Sequence, residues 1–243
     1  KYFGEEGKKR DLHTEAETNA VLERIKSGLF VITDVKDGVK TRHPAPPFTT
    51  SSLQQEASRK LGFTTKRTMM IAQQLYEGIE LGTKGAVGLI SYIRTDSVRV
   101  ASEAQAAARS FVEKRFGKDY IPEKPNFYKG RAGAQDAHEA IRPTGVDLEP
   151  AGIKDHLTSE QYRLYKLIYE RFLASQMSDA VYATTQVTLD CEGETFRANG
   201  TRTMFDGFTI VYTEGRDDEQ EKESSLPEVK VDEHYKAEKI SSE

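Results

Sequence analysis

The spacing of apolar residues divides the 243-residue chain into three stretches of different texture. From Thr14 to about Ile25, apolar positions recur at helical spacing (Ala16, Ala20, Ile25). Thr14 with Glu17 has the form of a capping box, each side chain satisfying the other's backbone N–H. Gly28 closes that helix, "LFVITDV" reads as a strand, and Asp37-Gly38 is a hairpin-turn signal. "HPAPPF" then places three prolines within four residues, a stiff extended connector and a boundary.

Beyond it the period becomes helical. Ser51 or Ser52 caps a helix carrying Leu53, Ala57 and Leu61; "LGFT" is a turn; Thr65 opens a second helix with Met69, Ala72, Leu75 and Tyr76 inside. Two short helices around a Gly-containing turn outline a helix-turn-helix, although an ordinary αα-corner has the same signature. After the Gly-rich loop "GIELGTKGAVG" comes a strand, "LISYI". Asp96 or Ser97 caps the next helix, about 97–116, with Val100, Ala104, Phe111 and Val112 on its buried face. "AQDAHEAIRPT" reads as a short helix stopped before Pro143. Thr158 and Gln161 form another capping box, opening a long helix to about Gln176 whose aromatic repeat (Tyr165, Tyr169, Phe172) belongs to a core.

From Ala180 the period switches to two. "VYATTQVTLD", "ETFRANG" and "GFTIVY" read as strands, with a turn at Glu192-Gly193. The prediction is a multidomain α+β chain, in which a mainly helical domain over 44–179 interrupts β-rich material at 1–43 and 180–243.

Charge adds a weak pointer. The formal net charge is −4, yet residues 49–144 hold 15 Lys/Arg against 10 Asp/Glu, while 214–243 hold 11 acids against 5 bases. A mildly basic middle permits a phosphate-binding face, and a solvated charged surface accounts for it equally well. No apolar run approaches the roughly 18 residues of a membrane span, and a single cysteine, Cys191, excludes an internal disulfide. These features fit a cytoplasmic protein without membrane contact. The first residue is Lys1 rather than Met, as in a piece of something longer.

Chemistry concentrates in two places. In "LISYIRTDS", Tyr92, Arg94 and Asp96 alternate, so in an extended chain they share one face. In the second, Asp136, His138, Glu139 and Arg142 cluster, with His138 and Arg142 four apart on one helical face. A phenol can attack phosphorus, an Arg fork neutralises non-bridging oxygens, and His or a carboxylate handles protons. The chain holds 11 tyrosines, so a structural Tyr92, a capping His138 and an Arg142 paired with Glu139 stand as the alternative. No Gly-rich phosphate loop, metal-type His pair or serine elbow is present. Tyrosine recombinases use similar residues but place the tyrosine last, whereas here it comes first.

"GLISYIRTDSVRVA" with "AQDAHEAIRPT", preceded by "PFTTSSLQQEASRKLGFTTKRTMMIAQQLYEG", resembles the active-site segments of the bacterial type IA DNA topoisomerases over essentially the whole chain. The resemblance implies that Tyr92 is the nucleophile, cutting one strand and keeping its 5′-phosphate as a phosphotyrosine ester. Arg94 would hold the scissile phosphate, and Asp96 and His138 would form a supporting pair. Gln73, Ser91 and Arg142 match positions close to bound DNA. The partner it implies is a single-stranded segment of negatively supercoiled duplex, relaxed without ATP. Residues 44–179 would be the tyrosine domain, carried by a β-rich arch. Nothing resembles the family's Toprim domain, where its Mg2+ binds, so no metal or cofactor is expected on this chain, and alone it is expected not to relax DNA. A non-catalytic helix-turn-helix DNA-binding module is the other reading.

Overall fold

The computed structural model describes residues 1–129, 138–214 and 226–241. Among them the chain runs β1 (Tyr2–Glu5), β2 (Lys8–Lys9), α1 (Glu15–Ile25), β3 (Phe30–Arg42), α2 (Thr50–Leu61), α3 (Thr65–Glu77) and a small hairpin, β4 (Ile79–Glu80) with β5 (Ala86–Val87). There follow α4 (Ser102–Phe116), α5 (Ser159–Ser175), β6 (Ala180–Cys191), β7 (Glu194–Phe205) and β8 (His234–Tyr235). The class is α+β. Two compact units result, one of Lys1–Lys40, Val181–Met204 and Glu221–Glu243, the other of Thr41–Ala180 and Phe205–Gln220.

The first unit is built on a six-stranded sheet in the order β2-β1-β7-β6-β3-β8. Helix α1 starts at the Thr14–Glu17 capping box and sets Val21 and Ile25 against Cys191, with Tyr2, Phe30 and Phe196 packed around them. Phe196 meets Tyr2 and Phe30 edge-on, at centroid separations of 5.6 and 5.2 Å. Both edge strands are two residues long and polar, which gives other chains little to pair with. The turn at Glu192-Gly193 places both residues at positive φ, as a tight hairpin requires. Asp37-Gly38, in contrast, is not a turn: β3 runs unbroken from Phe30 to Arg42. Asp37 accepts a hydrogen bond from Thr185 Oγ1 on β6 at 2.7 Å, so the pairing partner comes from the far end of the chain.

In the second unit, α2 and α3 are joined by only Gly62, Phe63 and Thr64, and both pack on α5. Thr49, not Ser51 or Ser52, caps α2, forming a box with Ser52; Thr64 caps α3. Leu53 and Ala57, Ile71 and Leu75, and Leu164, Ile168 and Phe172 make the shared core. Tyr165 and Tyr169 on α5 donate to the carbonyls of Leu148 and Val146, and burial pushes both phenols well above their ordinary range. Helix α4 begins at Ser102 rather than near 97, with no side-chain cap, because Asp96 and Ser97 remain in the extended segment before it.

"GFTIVY" is not a strand. Gly207–Ile210 forms a 3-10 turn, and β7 instead extends to Phe205. Gly207 has φ 49°, and a Cβ there would overlap the Asp179 carbonyl, so the turn needs glycine. Arg171, 5% exposed, then fixes this return to α5. Its guanidinium lies 4.9 and 5.2 Å from the ring centroids of Phe48 and Tyr212, donates to Pro46 O at 2.7 Å and pairs with Glu214 at 2.6 Å. Tyr212 in turn donates to the buried Glu56 at 2.9 Å. One buried arginine thereby holds the chain entering this unit and the chain returning to it.

Candidate active site

"LISYI" is not a regular strand: Ile90 makes one isolated bridge, the chain bends at Ile93–Arg94, and burial alternates after Ile90. Leu89, Ile90, Ile93, Thr95 and Ser97 are buried, while Tyr92, Arg94 and Asp96 are exposed, Tyr92 by 39%. The three reactive side chains therefore do share one open face.

Hydrogen bonds from three directions hold this segment. Leu89 N–H donates to Leu75 O of α3 at 2.7 Å, and Gly88 passes so close that a Cβ would sit 2.8 Å from Tyr76 O. That close approach is why glycine stands there. Thr144 N–H donates to Leu89 O at 3.0 Å, and Ser91 N–H to Arg142 O at 2.9 Å. Ser91 Oγ donates to Ala140 O at 2.7 Å and accepts from Arg142 N–H at 2.9 Å. Thr50, at the start of α2, bonds the backbone at Ile93 and Thr95. Further on, Thr95 Oγ1 accepts from Ser97 N–H and Ser97 Oγ from Arg99 N–H, local turns that keep the chain out of helix.

The second motif meets the first, but not as a helix. His138–Pro143 is extended, with bridges Phe48↔Ile141 and Ile90↔Pro143. Pro143 disfavours helical geometry at Arg142, and burial of Ala140 and Ile141 rewards docking along the tyrosine segment. His138 and Arg142 are accordingly not neighbours on a helical face. Asp136 lies outside the described residues.

The two side chains divide in role. The His138 ring lies against Tyr92, with centroids 5.1 Å apart and planes 40° apart. Arg142 turns inward: its guanidinium pairs with Glu139 at 2.6 Å, donates to Pro143 O at 2.9 Å, and is 15% exposed. Arg94 and Asp96 have no ion-pair or hydrogen-bond partner for their side chains among the described residues, and Asp96 is not bonded to His138. Gln73 is on α3, donating to Glu77 at 2.5 Å. It lies three residues before Tyr76, on the same helix face.

Sequence periodicity places Tyr76 inside its helix. Instead it is 39% exposed and meets Tyr92 edge-on at 5.7 Å. The available signal is its position: one residue past the buried Leu75, about 100° around the helix. The contribution of Thr50, Thr95 and Ser97 also escapes a reading of the sequence; hydroxyl residues two apart, as in Thr95-Asp96-Ser97, are the local cue. Among the described residues, no three His, Cys, Asp or Glu gather to hold a metal ion, and no helix is long and apolar enough to cross a membrane.

Tyr92 is thus an exposed tyrosine set between Tyr76 of α3 and His138, two residues before the exposed Arg94. The family model described as DNA topoisomerase matches residues 1–243, and the chain belongs to that family. It is similar to DNA topoisomerase 1 of Xylella fastidiosa strain 9a5c, at 44% identity over 239 residues, 96% of this chain and 29% of that protein. The same enzyme from strain Temecula1 matches with equal identity and coverage. Among solved structures, full-length topoisomerase I from Thermotoga maritima matches with a TM-score of 0.77 at 36% identity, over 95% of this chain and 36% of that one. The chain thus spans less than a third of the curated relatives' length.

Proposed function

We propose that this chain supplies the tyrosine half of a type IA topoisomerase active site, acting on a single-stranded segment of negatively supercoiled DNA. Tyr92 Oη attacks a backbone phosphorus and loses its proton. The bond from phosphorus to the 3′ oxygen breaks, that oxygen takes up a proton, and the 5′-phosphate remains esterified to Tyr92. Attack by the 3′-hydroxyl reverses the step. One phosphate ester replaces another each time, so no ATP is consumed.

Arg94, exposed on the same face, is read as the clamp on the non-bridging oxygens of that phosphate. His138 and Asp96 orient the reacting groups, His138 through its ring contact with Tyr92. Ser91 and Arg142 hold the two motifs together at the DNA-facing surface, and Gln73 borders the strand's path along α3. The other tyrosines of the core suit this role poorly: Tyr128, Tyr165, Tyr169 and Tyr212 are driven up by burial and donate their hydroxyl protons inside the fold.

We read the helical unit as the tyrosine domain and the sheet unit as part of an arch that lets it swing for strand passage. The family's magnesium would polarise or position phosphate, but the described residues offer no donor set that fits it, and no step here is routed through it. The setting would be the bacterial cytoplasm.

The observation that carries this reading is the exposed Tyr92 ring packed on His138, with Arg94 uncovered on the same face. The test is Tyr92→Phe in an enzyme of the relatives' full length, with labelled single-stranded DNA resolved on a denaturing gel. The covalent band is expected to vanish while non-covalent binding persists; a surviving band removes Tyr92 from the role. Binding without any band from the parent enzyme would favour a helix-turn-helix module instead. The chain alone, with magnesium, is expected to leave a negatively supercoiled plasmid unrelaxed, and relaxation would show that it needs no second half.

A further inference from the structure

Thr50 is the first residue of α2, yet the helix does not use its hydroxyl. Thr49 and Ser52 already form the capping box. Thr50 Oγ1 lies instead on the tyrosine segment, 2.7 Å from Ile93 O and 3.0 Å from Thr95 O, and accepts from Thr95 N–H at 2.9 Å. Thr50 N–H, a first-turn donor with no partner inside its helix, donates to Thr95 O at 2.9 Å.

These bonds close on the backbone immediately before and immediately after Arg94. The chain bends at Ile93–Arg94, where Ile93 and Thr95 turn inward (2% and 7% exposed) and Arg94 turns out. The Arg94 side chain has no partner among the described residues, so the backbone bend decides where its guanidinium starts from.

We propose that Thr50 is a positioning residue for Arg94: its hydroxyl holds the bend that aims the guanidinium at the phosphate attacked by Tyr92. This rests on the roles given to Tyr92 and Arg94 above. Serine keeps both the donor and the acceptor. Valine, nearly the same shape, keeps neither and strands the Ile93 carbonyl and the Thr95 N–H.

In the full-length enzyme, single-turnover cleavage of single-stranded DNA is measured beside the DNA dissociation constant, below each variant's melting midpoint. Thr50→Val and Thr50→Ala are expected to cleave about 10- to 100-fold more slowly at saturating DNA, with affinity unchanged within about 2-fold and with Thr50→Ser close to the parent. Alanine is a good helix former, so the result does not depend on how valine fits. In an Arg94→Ala background, Thr50→Val is expected to add little, because the two act as one unit. Parent-like rates in both Thr50→Val and Thr50→Ala, no rescue by serine, or full additivity with Arg94→Ala overturns the proposal. A covalent band surviving in Tyr92→Phe would instead overturn the reading of the site itself.

Discussion

Ser91 and Arg142 lie 51 residues apart and are joined reciprocally: Ser91 N–H donates to Arg142 O, and Arg142 N–H donates to Ser91 Oγ, each at 2.9 Å. With the further bond from Ser91 Oγ to Ala140 O, one small side chain sews the histidine motif to the tyrosine motif. The family resemblance puts Ser91 beside DNA; its hydroxyl is already engaged within the protein. Ser91→Ala is expected to destabilise the chain by ~1–3 kcal/mol, read from its urea midpoint, and Ser91→Thr to recover most of that loss. In the full-length enzyme Ser91→Ala should also slow cleavage, since His138 follows the same segment.

Gly88 makes a second prediction. A methyl group there would sit 2.8 Å from the Tyr76 carbonyl, a backbone atom that cannot rotate away. Gly88→Ala is expected to cost ~1–3 kcal/mol, the range for overpacking. It should also shift Tyr76 relative to Tyr92, visible as a change in their ring proton resonances. An unchanged melting midpoint and spectrum would show that α3 yields at this point.

The Arg171 guanidinium is tied to Pro46 O, Tyr212 Oη and Glu214. Replacing Arg171 by Met leaves Glu214 without that cation and Pro46 O without its donor. Removing one partner of a buried pair costs ~3–5 kcal/mol. The lower end is expected here, because the Glu214 side chain is 36% exposed. Tyr212→Phe removes the bond donated to Glu56 and a longer one, 3.4 Å, accepted from Arg171, and is expected to cost ~1–2 kcal/mol. Thermal melts of both variants check the ranking.

Glu170 predicts a pH dependence. Burial raises its carboxyl above the ordinary 4.5, and Lys166, 3.6 Å away, only partly opposes this. The folded chain therefore holds this proton more tightly than the unfolded chain does. Its stabilising contribution is present below the ordinary value and is lost as pH rises through the raised one. Glu170→Gln is expected to raise the melting midpoint at pH 7 and to change it little at pH 4. An equal shift at both values would assign the effect to packing rather than protonation.

Several parts of the site are legible in the residue order alone. Tyr92, Arg94 and Asp96 on one exposed face follow from strand periodicity once the neighbouring positions are apolar or hydroxylic. The capping boxes at Thr14–Glu17 and Thr158–Gln161 are likewise local patterns, each complete within four residues. The resemblance pairs His138 with Asp96; that the His138 ring lies against Tyr92 follows from no spacing and is seen only in the fold.

The sequence by itself determined what short-range physics can determine: helix starts set by reciprocal side-chain caps, the buried stripe of α5, the hairpin at Glu192-Gly193, and the alternation that turns Tyr92 and Arg94 outward. Tertiary structure decided wherever a distant segment competed with local preference. His138–Arg142 has a helical reading, yet the backbone bonds of Ser91 and Phe48, with burial of Ala140 and Ile141, draw it out as an extended strip. Asp37-Gly38 has a turn reading, yet β6 supplies a partner and keeps the strand straight. Thr50 looks like one more residue in a run of hydroxyls, and only the approach of Ile93 and Thr95 gives it a position beside the candidate phosphate clamp. Local patterns fix elements because their energy comes from neighbours in the chain; the site depends on contacts that exist only after folding.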